Sequence, residues 1–239
     1  ACPLDMPRVP ITLRAQEVRL NMEFITQFID FFIHIDKHLE ELVRTYGLAT
    51  YVVLFIIVFC ETGLVVTPFL PGDSLLFAAG AIASKGSLDV NLLALLLFIA
   101  AVIGDAVNYA VGRFIGPKVF ERKNSRIFKQ EYLSRTQRFF DKYGAKTIIF
   151  ARFVPIVRTF APFLAGVGTM SYPKFATYNV VGAVAWVGLF TYLGFFFGSQ
   201  PFVEKNFKIV ILAIIIISIL PAVIEVIRAR REARSGAVG

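Results

Sequence analysis

The chain is poor in cysteine, histidine and charge, and each shortage excludes a class of protein. Its 239 residues include only two cysteines and two histidines. Cys2 and Cys60 lie far apart, and Cys60 is in an apolar run, so the sequence predicts no disulfide framework. Charged residues make up 18% of the chain against 56% hydrophobic ones, which is too apolar for a soluble domain. The composition indicates an all-α polytopic membrane protein.

The scarcity of histidine also argues against a lipid phosphatase. Phosphatases of the phosphatidic-acid type need histidines at the membrane face, whereas His34 and His38 both lie on a predicted N-terminal surface helix. They are four residues apart with no suitable third ligand nearby, so we expect no metal site. There is no cysteine beside a phosphate-cradling glycine loop and no carboxylate cluster suited to Mg²⁺. We therefore expect neither an enzyme nor a cofactor.

The charge that is present is unevenly placed. The net charge is +8, with nine Lys or Arg against three acids in Lys118–Lys146 and four Arg in Arg228–Arg234. Basic segments beside spanning helices mark the cytoplasmic side of a membrane protein. Nucleic-acid binding is the competing interpretation, but basic tails next to the membrane explain the pattern more simply, and we expect no nucleic-acid partner.

Apolar runs predict about four transmembrane helices and two re-entrant hairpins. A span needs about twenty mainly apolar residues. The predicted spans are Tyr46–Cys60, Asn91–Gly112, Tyr178–Phe197 and Phe207–Ile227. The last three reach this length, while the first must borrow part of the broken segment that follows it. Two more apolar stretches, Thr62–Ala83 and Thr147–Val167, are interrupted by Pro68, Pro71, Gly72, Pro155, Pro162 and Gly166. Broken backbone at membrane depth is tolerated only inside protein or around a wet cavity, so these two are predicted to be re-entrant.

The two basic clusters then fix a topology. If both are cytoplasmic, an even number of crossings separates them, and the segment at Thr147–Val167 must return to the cytoplasmic side. The same reasoning makes Lys85–Asn91 periplasmic and the N-terminus cytoplasmic, with the two hairpins entering from opposite faces. Residues 1–21 are predicted to be an unstructured extension before Met22, with a membrane domain over 22–231 and a cytoplasmic tail over 232–239. The pattern at Met22–Arg44 predicts an amphipathic helix at the membrane surface.

Four ionisable residues lie in this apolar sequence. Glu61 and Asp73 bracket the first broken segment, and Arg152 and Arg158 lie in the second. A charge at bilayer depth costs about 2.5 kcal/mol to more than 10 kcal/mol, so such residues usually have a partner and a function. The arginines could grip a phosphate through forked hydrogen bonds, or they could only neutralise the acids in buried salt bridges. Burial favours a protonated carboxyl group unless the arginines oppose it, so either acid is a candidate proton carrier.

Other residues have two interpretations each. Asp73 follows Pro-Gly and precedes an apolar run, so it could also cap a helix. Asp105 and Tyr109 lie on one helix face, and we expect them to form interhelical hydrogen bonds, with substrate contact as the second interpretation. Trp186 could stack on a ligand, but packing or interfacial anchoring is the expected role.

The motifs resemble one family. The chain reads Glu61-Thr-Gly-Leu, then Pro-Phe-Leu-Pro-Gly-Asp73, then Gly104-Asp105-Ala-Val-Asn-Tyr109, then Phe150-Ala-Arg152-Phe-Val-Pro155-Ile-Val-Arg158. These blocks, in this order, resemble the DedA family of bacterial inner-membrane proteins, close to the member that gives the family its name. The likeness covers Met22 to about Arg231.

The resemblance implies a function. It implies the re-entrant architecture of the VTT-domain lipid scramblases and transport of lipid-linked phosphate, chiefly undecaprenyl phosphate, with the proton-motive force involved. It also implies phosphate binding by Arg152 and Arg158, and proton coupling or gating by Glu61 and Asp73. We therefore expect a flippase of the inner membrane, with lipids and protons as partners. The alternatives are a proton-coupled antiporter of cations or osmolytes, a phospholipid scramblase and a structural membrane organiser, and whether the protein is a homodimer stays open.

Overall fold

The computed structural model describes residues 35–64, 72–121, 140, 143–168, 170–217 and 220. Within these ranges the regular structure is entirely helical. The helices are α1 Ile35–Tyr46, α2 Ala49–Gly63, α3 Gly72–Ala83, α4 Val90–Glu121, α5 Thr147–Ala151, α6 Pro155–Val167, α7 Tyr172–Gly198, α8 Pro201–Lys205 and α9 Phe207–Ile217, with a 3₁₀ turn at Gly144–Lys146 before α5.

Two long antiparallel helices, α4 and α7, form the frame of the molecule. Near one end of the frame, the Tyr192 hydroxyl donates to Asn91 Oδ1 at 2.9 Å. Towards the other end, the rings of Tyr109 and Phe175 stack with centroids 4.5 Å apart. We call the first the Lys85 end, because Lys85 lies between α3 and α4 there, and the second the Gly112 end, after Gly112 of α4.

Both long helices were predicted as spans, and both have the required length. Val90–Ile115 of α4 has 26 residues and α7 has 27. At 1.5 Å per residue each is about 40 Å long, more than the roughly 30 Å thickness of a bilayer's hydrocarbon core. The expected spans at Asn91–Gly112 and Tyr178–Phe197 are therefore confirmed as apolar helices of spanning length. Of the expected span Phe207–Ile227, only the first half, α9, is described.

Helices α2 and α3 both connect the Lys85 end to the middle of the bundle. The Asp89 N–H donates to the Tyr51 hydroxyl at 2.7 Å near the start of α2. At the other end of α2, a Cβ on Gly63 would lie 3.4 Å from Gly104 Cα, about halfway along α4. Helix α3 then runs back beside α7, since its Asp73 contacts Trp186 and its later turns lie against Gly194 and Gly198.

Helices α5 and α6 occupy the other half of the bundle. Helix α6 runs in the same direction as α4, because Asn108 of α4 bonds to Thr159 and Gly112 lies against Phe163. The break between α5 and α6 ends at Pro155, which begins α6 because a proline at the first helical position needs no N–H partner. The second predicted helix breaker, Pro162, lies inside α6 and does not end the helix, so its prediction as a break was wrong.

The first predicted span is shorter than a full crossing. Tyr46–Cys60 was expected to cross with part of the broken segment that follows it, but α2 starts at the Lys85 end and its last residue, Gly63, lies halfway along α4. At about 22 Å for its 15 residues it is too short to cross. The span was predicted from the apolar composition of the segment alone. A buried helix that crosses half of the membrane is as apolar as one that crosses all of it, so composition could not separate the two.

The surface helix lies at the same end of the bundle as Lys85, which the predicted topology did not allow. Its described part is α1, in which Glu40 accepts a hydrogen bond from Lys85 Nζ at 2.5 Å. This bond raises the pKa of the Lys85 ammonium above its usual value. Glu204 of α8 is 3.6 Å from the same Lys85 nitrogen. Helix α1 therefore lies at the same end as Lys85, whereas the predicted topology put Lys85 in the periplasm and the N-terminal segment in the cytoplasm.

Candidate functional site: a buried network of acids and arginines

Arg158 joins the two helix pairs at the middle of the bundle. From α6, its Nη2 donates to Glu61 Oε1 of α2 at 2.5 Å, and its Nη1 donates to Asp73 Oδ1 of α3 at 3.2 Å. The Arg158 residue is 4% exposed and Glu61 is 1% exposed. Three of the four charges that the sequence singled out thus meet in one cluster, each contributed by a different helix.

Glu61 also occupies the N-terminus of α3. The Gly72 N–H donates to Glu61 Oε1 at 3.0 Å, so this carboxyl group satisfies a backbone donor of the first turn. Asp73, considered as a cap in the sequence, lies inside the first turn of α3, and Glu61 accepts from the Gly72 N–H at the same helix start. A Cβ on Gly72 would overlap the Glu61 carboxylate, so only glycine allows this approach.

Arg152 has a separate set of partners. It follows the last residue of α5, in the short non-helical segment before α6. Its Nη2 donates to Asp105 Oδ2 and to Asn179 Oδ1, both at 2.5 Å. A longer bond of 3.4 Å reaches the Ala101 carbonyl of α4. The salt-bridge interpretation had paired both arginines with Glu61 and Asp73. For Arg152 this was wrong, because its acid is Asp105, for which interhelical hydrogen bonding had been expected first and substrate contact second.

Trp186 of α7 connects the two arginine clusters. Its indole N–H donates to Asp73 Oδ1 at 2.6 Å. The Arg158 Cζ atom lies 5.1 Å from the indole ring centroid, and Arg152 Cζ lies 5.9 Å from it. Trp186 is fully buried, so interfacial anchoring does not describe it.

Two asparagines of the network were missed in the sequence. Asn179 accepts from Arg152 and donates to the Val102 carbonyl at 3.0 Å, which ties α7 to α4. Asn108 donates to the carbonyl of Thr159 at 2.8 Å and to that of Thr62 at 3.3 Å. Both amides are buried in long apolar helices, and this polar-in-apolar pattern was the available signal.

Tyr109 takes no part in the charged network. Its hydroxyl donates to the Met170 carbonyl at 2.7 Å, which secures the start of α7 near the Gly112 end. Interhelical bonding was expected for this hydroxyl, but its bond goes to the loop before α7, and Tyr109 contacts α7 itself through stacking of its ring on Phe175.

The network leaves several polar atoms unsatisfied within the described part of the chain. Arg152 Nε and Nη1, Glu61 Oε2 and Asp105 Oδ1 are buried without a hydrogen-bond partner there. Unsatisfied buried polar groups cost about 1–3 kcal/mol each, and more when charged. The arrangement can therefore gain energy from a ligand or water that offers further acceptors to Arg152. No group of three or more His, Cys, Asp or Glu within those same residues is placed to hold a metal ion.

Some predicted residues cannot be placed. Pro68 and Pro71, between α2 and α3, lie outside the described residues, as do His34, most of Lys118–Lys146 and the C-terminal tail. Pro155 is the first residue of α6, and Pro162 lies inside the same helix.

Known proteins share this chain's sequence over most of its length. The VTT domain matches residues 70–196, which is more than half of the chain. Protein DedA of Escherichia coli K12 is 59% identical over 218 residues, covering 90% of this chain and 100% of that protein. The chain is a DedA-family membrane protein.

More distant relatives agree with that assignment. An uncharacterized membrane protein of Mycobacterium tuberculosis H37Rv is 47% identical over 193 residues, 79% of this chain and 85% of the relative. Inner membrane protein YqjA of Escherichia coli K12 is 35% identical over 151 residues, 63% of this chain and 69% of the relative. No solved structure matches the chain. The VTT match includes Asp73, Asp105, Arg152, Arg158 and Trp186, but Glu61 lies before it.

Proposed function

We propose that this DedA-family protein moves lipid-linked phosphate, undecaprenyl phosphate foremost, across the bacterial inner membrane. Membership of the family and the apolar helices of spanning length support a role as a membrane transporter. The names of the relatives place those proteins in membranes, and one of them in the inner membrane.

The observation that carries the proposal is the pair of buried arginines where the broken helices meet. A guanidinium group matches the oxygens of a phosphate in planar, two-point geometry, and it stays charged when buried. Two nitrogens of Arg152, Nε and Nη1, have no partner among the described residues, which suits the side chain to a further acceptor. A buried ion pair seldom stabilises a fold more than apolar packing would, so stability alone gives little reason for the network.

The helix pairs suggest how a substrate reaches this site from both sides. We interpret α2–α3 as a re-entrant pair entering from the Lys85 end and α5–α6 as one entering from the Gly112 end. The basic residues after α4 favour the Gly112 end as cytoplasmic. Broken helices that meet near the midplane are typical of transporters whose binding site is exposed alternately to each side.

In the proposed transport cycle, Arg158 would exchange its carboxylate partners for the phosphate of the lipid. A phosphate head group that approaches Arg158 competes with Glu61 and Asp73 for the same N–H donors. Protonation of either carboxyl group would weaken its hold on Arg158 and favour the lipid phosphate. Proton entry would thereby be coupled to phosphate binding, as the resemblance to the family implies.

A proton-coupled antiporter is the second candidate, and one observation favours it. Three buried acids, Glu61, Asp73 and Asp105, outnumber the two buried arginines in the described part of the chain. The excess acid could bind a cation in exchange for a proton. Such a site has less need of two arginines, so the lipid-phosphate proposal ranks first.

The test is binding of undecaprenyl phosphate to the detergent-purified protein, with Arg152→Lys and Arg158→Lys as variants. Lysine keeps the positive charge but loses the forked geometry, and a charge-assisted hydrogen bond contributes about 1.5–3 kcal/mol. We expect the affinity to fall roughly tenfold to a hundredfold for each variant, with no inorganic phosphate released. Arg113→Lys, on the exposed side of α4, is the matched control and should bind as the wild type does.

Two results would contradict the proposal. Unchanged affinity in both lysine variants would reduce the arginines to a structural role. Release of inorganic phosphate from the lipid would make the protein an enzyme. Equal binding of undecaprenyl phosphate and a phospholipid would instead point to a general scramblase.

A further inference from the structure

Trp186 contacts more of the charged network than any sequence pattern indicated. One side chain donates a hydrogen bond to Asp73 at 2.6 Å and lies within 6 Å of both guanidinium groups. It comes from α7, whereas Asp73, Arg152 and Arg158 come from α3, the α5–α6 break and α6. Trp186 thus touches both the Arg152 cluster and the Arg158 cluster.

These contacts fix orientation as well as position. Asp73 Oδ1 accepts from both the indole N–H and Arg158 Nη1, at 2.6 Å and 3.2 Å, so the tryptophan restricts rotation of the carboxyl group. A buried indole N–H needs an acceptor, and the negative face of the ring attracts cations more strongly when water is excluded. The ring also lies close to two guanidinium groups of like charge, and its attraction to both offsets part of their mutual repulsion.

We propose that Trp186 is a positioning residue of the lipid-phosphate site, a role that rests on the proposed function. It holds the Asp73 carboxyl group and the faces of both arginines in one arrangement. When a phosphate takes Arg158 from Asp73, the indole keeps Asp73 in place for the return step. Trp186 itself makes no contact with the phosphate in this account.

The chain provides a direct reporter of this role, because Trp186 is its only tryptophan. Indole fluorescence of the purified protein therefore comes from the centre of the network alone. Its emission should respond to any change in the hydrogen bond to Asp73 or in the nearby guanidinium groups.

The first measurement is made on the resting protein without lipid. We expect Asp73→Asn and Arg158→Lys each to shift or quench the emission relative to the wild type. Tyr192→Phe is the matched control, since Tyr192 is on the same helix but bonds to Asn91 at the Lys85 end. Identical spectra for the wild type and both network variants would overturn the inference, whatever the protein transports.

The second measurement adds undecaprenyl phosphate, with undecaprenol as the control lipid lacking the phosphate. A saturable emission change with the phosphate alone is expected. An unchanged emission, at concentrations where a separate assay shows the lipid bound, would overturn the inference. Failure of the lipid to bind in that separate assay would instead contradict the proposed function, and the resting spectra would still decide the role of Trp186.

Trp186→Phe separates positioning from packing. Phenylalanine keeps an aromatic face for the arginines but loses the N–H donor to Asp73. We expect the maximal transport rate to fall about tenfold, with the half-saturating lipid concentration changed less than threefold, because a lost hydrogen bond to a charged group weakens a step by roughly that factor. A variant with lower thermal stability and weaker lipid binding but an unchanged maximal rate would show that Trp186 only fills space, which would overturn the inference.

Discussion

At the scale of single residues, the buried acids and bases differ in number. Three carboxyl groups face two guanidinium groups within the described residues, so a fully ionised network would carry one excess negative charge. Removing one partner from a buried ion pair usually costs about 3–5 kcal/mol, because it leaves a charge unpaired. The cost should therefore depend on which sign of charge is removed.

This asymmetry gives a prediction about stability. Arg158→Met leaves Glu61 and Asp73 without their shared cation and should lower the free energy of unfolding by about 3–5 kcal/mol. Glu61→Gln removes the excess charge and keeps an oxygen for the Gly72 N–H and for Arg158, so it should cost clearly less. Thermal unfolding of the purified variants in one detergent would measure the order. The reverse order would mean that the acids are held neutral before any ligand binds.

The sequence alone identified some of the site residues but not how they pair. Stranded charges identified Glu61, Asp73, Arg152 and Arg158, because a charge in an apolar run is visible without coordinates. Which acid pairs with which arginine could not be predicted from the sequence. Arg152 and Asp105 are separated by 47 residues, and their contact depends on the rotation of α4 against the α5–α6 break. The roles of Asn179 and the Trp186 N–H depend on the same tertiary geometry.

At the scale of helices, close packing of α3 on α7 positions Asp73 against Trp186. A Cβ on Gly194 would overlap the Phe77 carbonyl oxygen and lie 3.0 Å from Phe77 Cα. These are backbone atoms, so they cannot move aside as the end of a side chain could. Small residues permit such close helix contacts in membranes.

A matched pair of glycines tests this contact. Gly194→Ala should push α3 away from α7, weaken the Asp73–Trp186 hydrogen bond and shift the tryptophan emission. Gly188→Ala, six residues earlier on α7, has nothing within 4 Å of the added methyl group and should leave both emission and stability unchanged. Equal behaviour of the two variants in fluorescence and thermal unfolding would contradict the packing account.

Helix ends were predictable only where the chemistry is local. Pro155 begins α6 as a proline at the first helical position should, and Gly72 begins α3 as expected for the Pro-Gly turn. Pro162 misled the prediction because its missing N–H removes one bond to the Arg158 carbonyl, which a helix packed among others can tolerate. Whether a helix of 15 residues stops halfway or crosses depends on its neighbours, and the composition of α2 could not decide it.

At the scale of the whole molecule, the α2–α3 pair occupies the half of the bundle at the Lys85 end, and α6 extends towards the Gly112 end. The Lys85 end gathers α1, the α3–α4 turn and α8 through Glu40, Lys85 and Glu204. These groups must lie on one side of the membrane if α4 and α7 cross it. The basic residues after α4 favour the opposite, cytoplasmic side for the Gly112 end.

Cysteine labelling tests this arrangement in a background with Cys2 and Cys60 replaced by serine. The exposed positions Glu41 and Ser87, changed to cysteine one at a time, should react with an impermeant reagent from the periplasm. Cysteine at Lys174, near the Gly112 end, should react only after the membrane is opened. Labelling of Glu41→Cys and Ser87→Cys from different sides would contradict the fold at the Lys85 end.

Transport itself is the most direct test of the central claim, that the buried arginines move lipid-linked phosphate across the bilayer. The purified protein is reconstituted into liposomes with undecaprenyl phosphate in one leaflet, and its appearance in the other leaflet is followed with and without an imposed pH gradient. We expect transfer at least tenfold faster with the wild type than with Arg158→Lys, and equal rates for Arg113→Lys and the wild type. Transfer at the same rate in all three, or no faster than in protein-free liposomes, would contradict it.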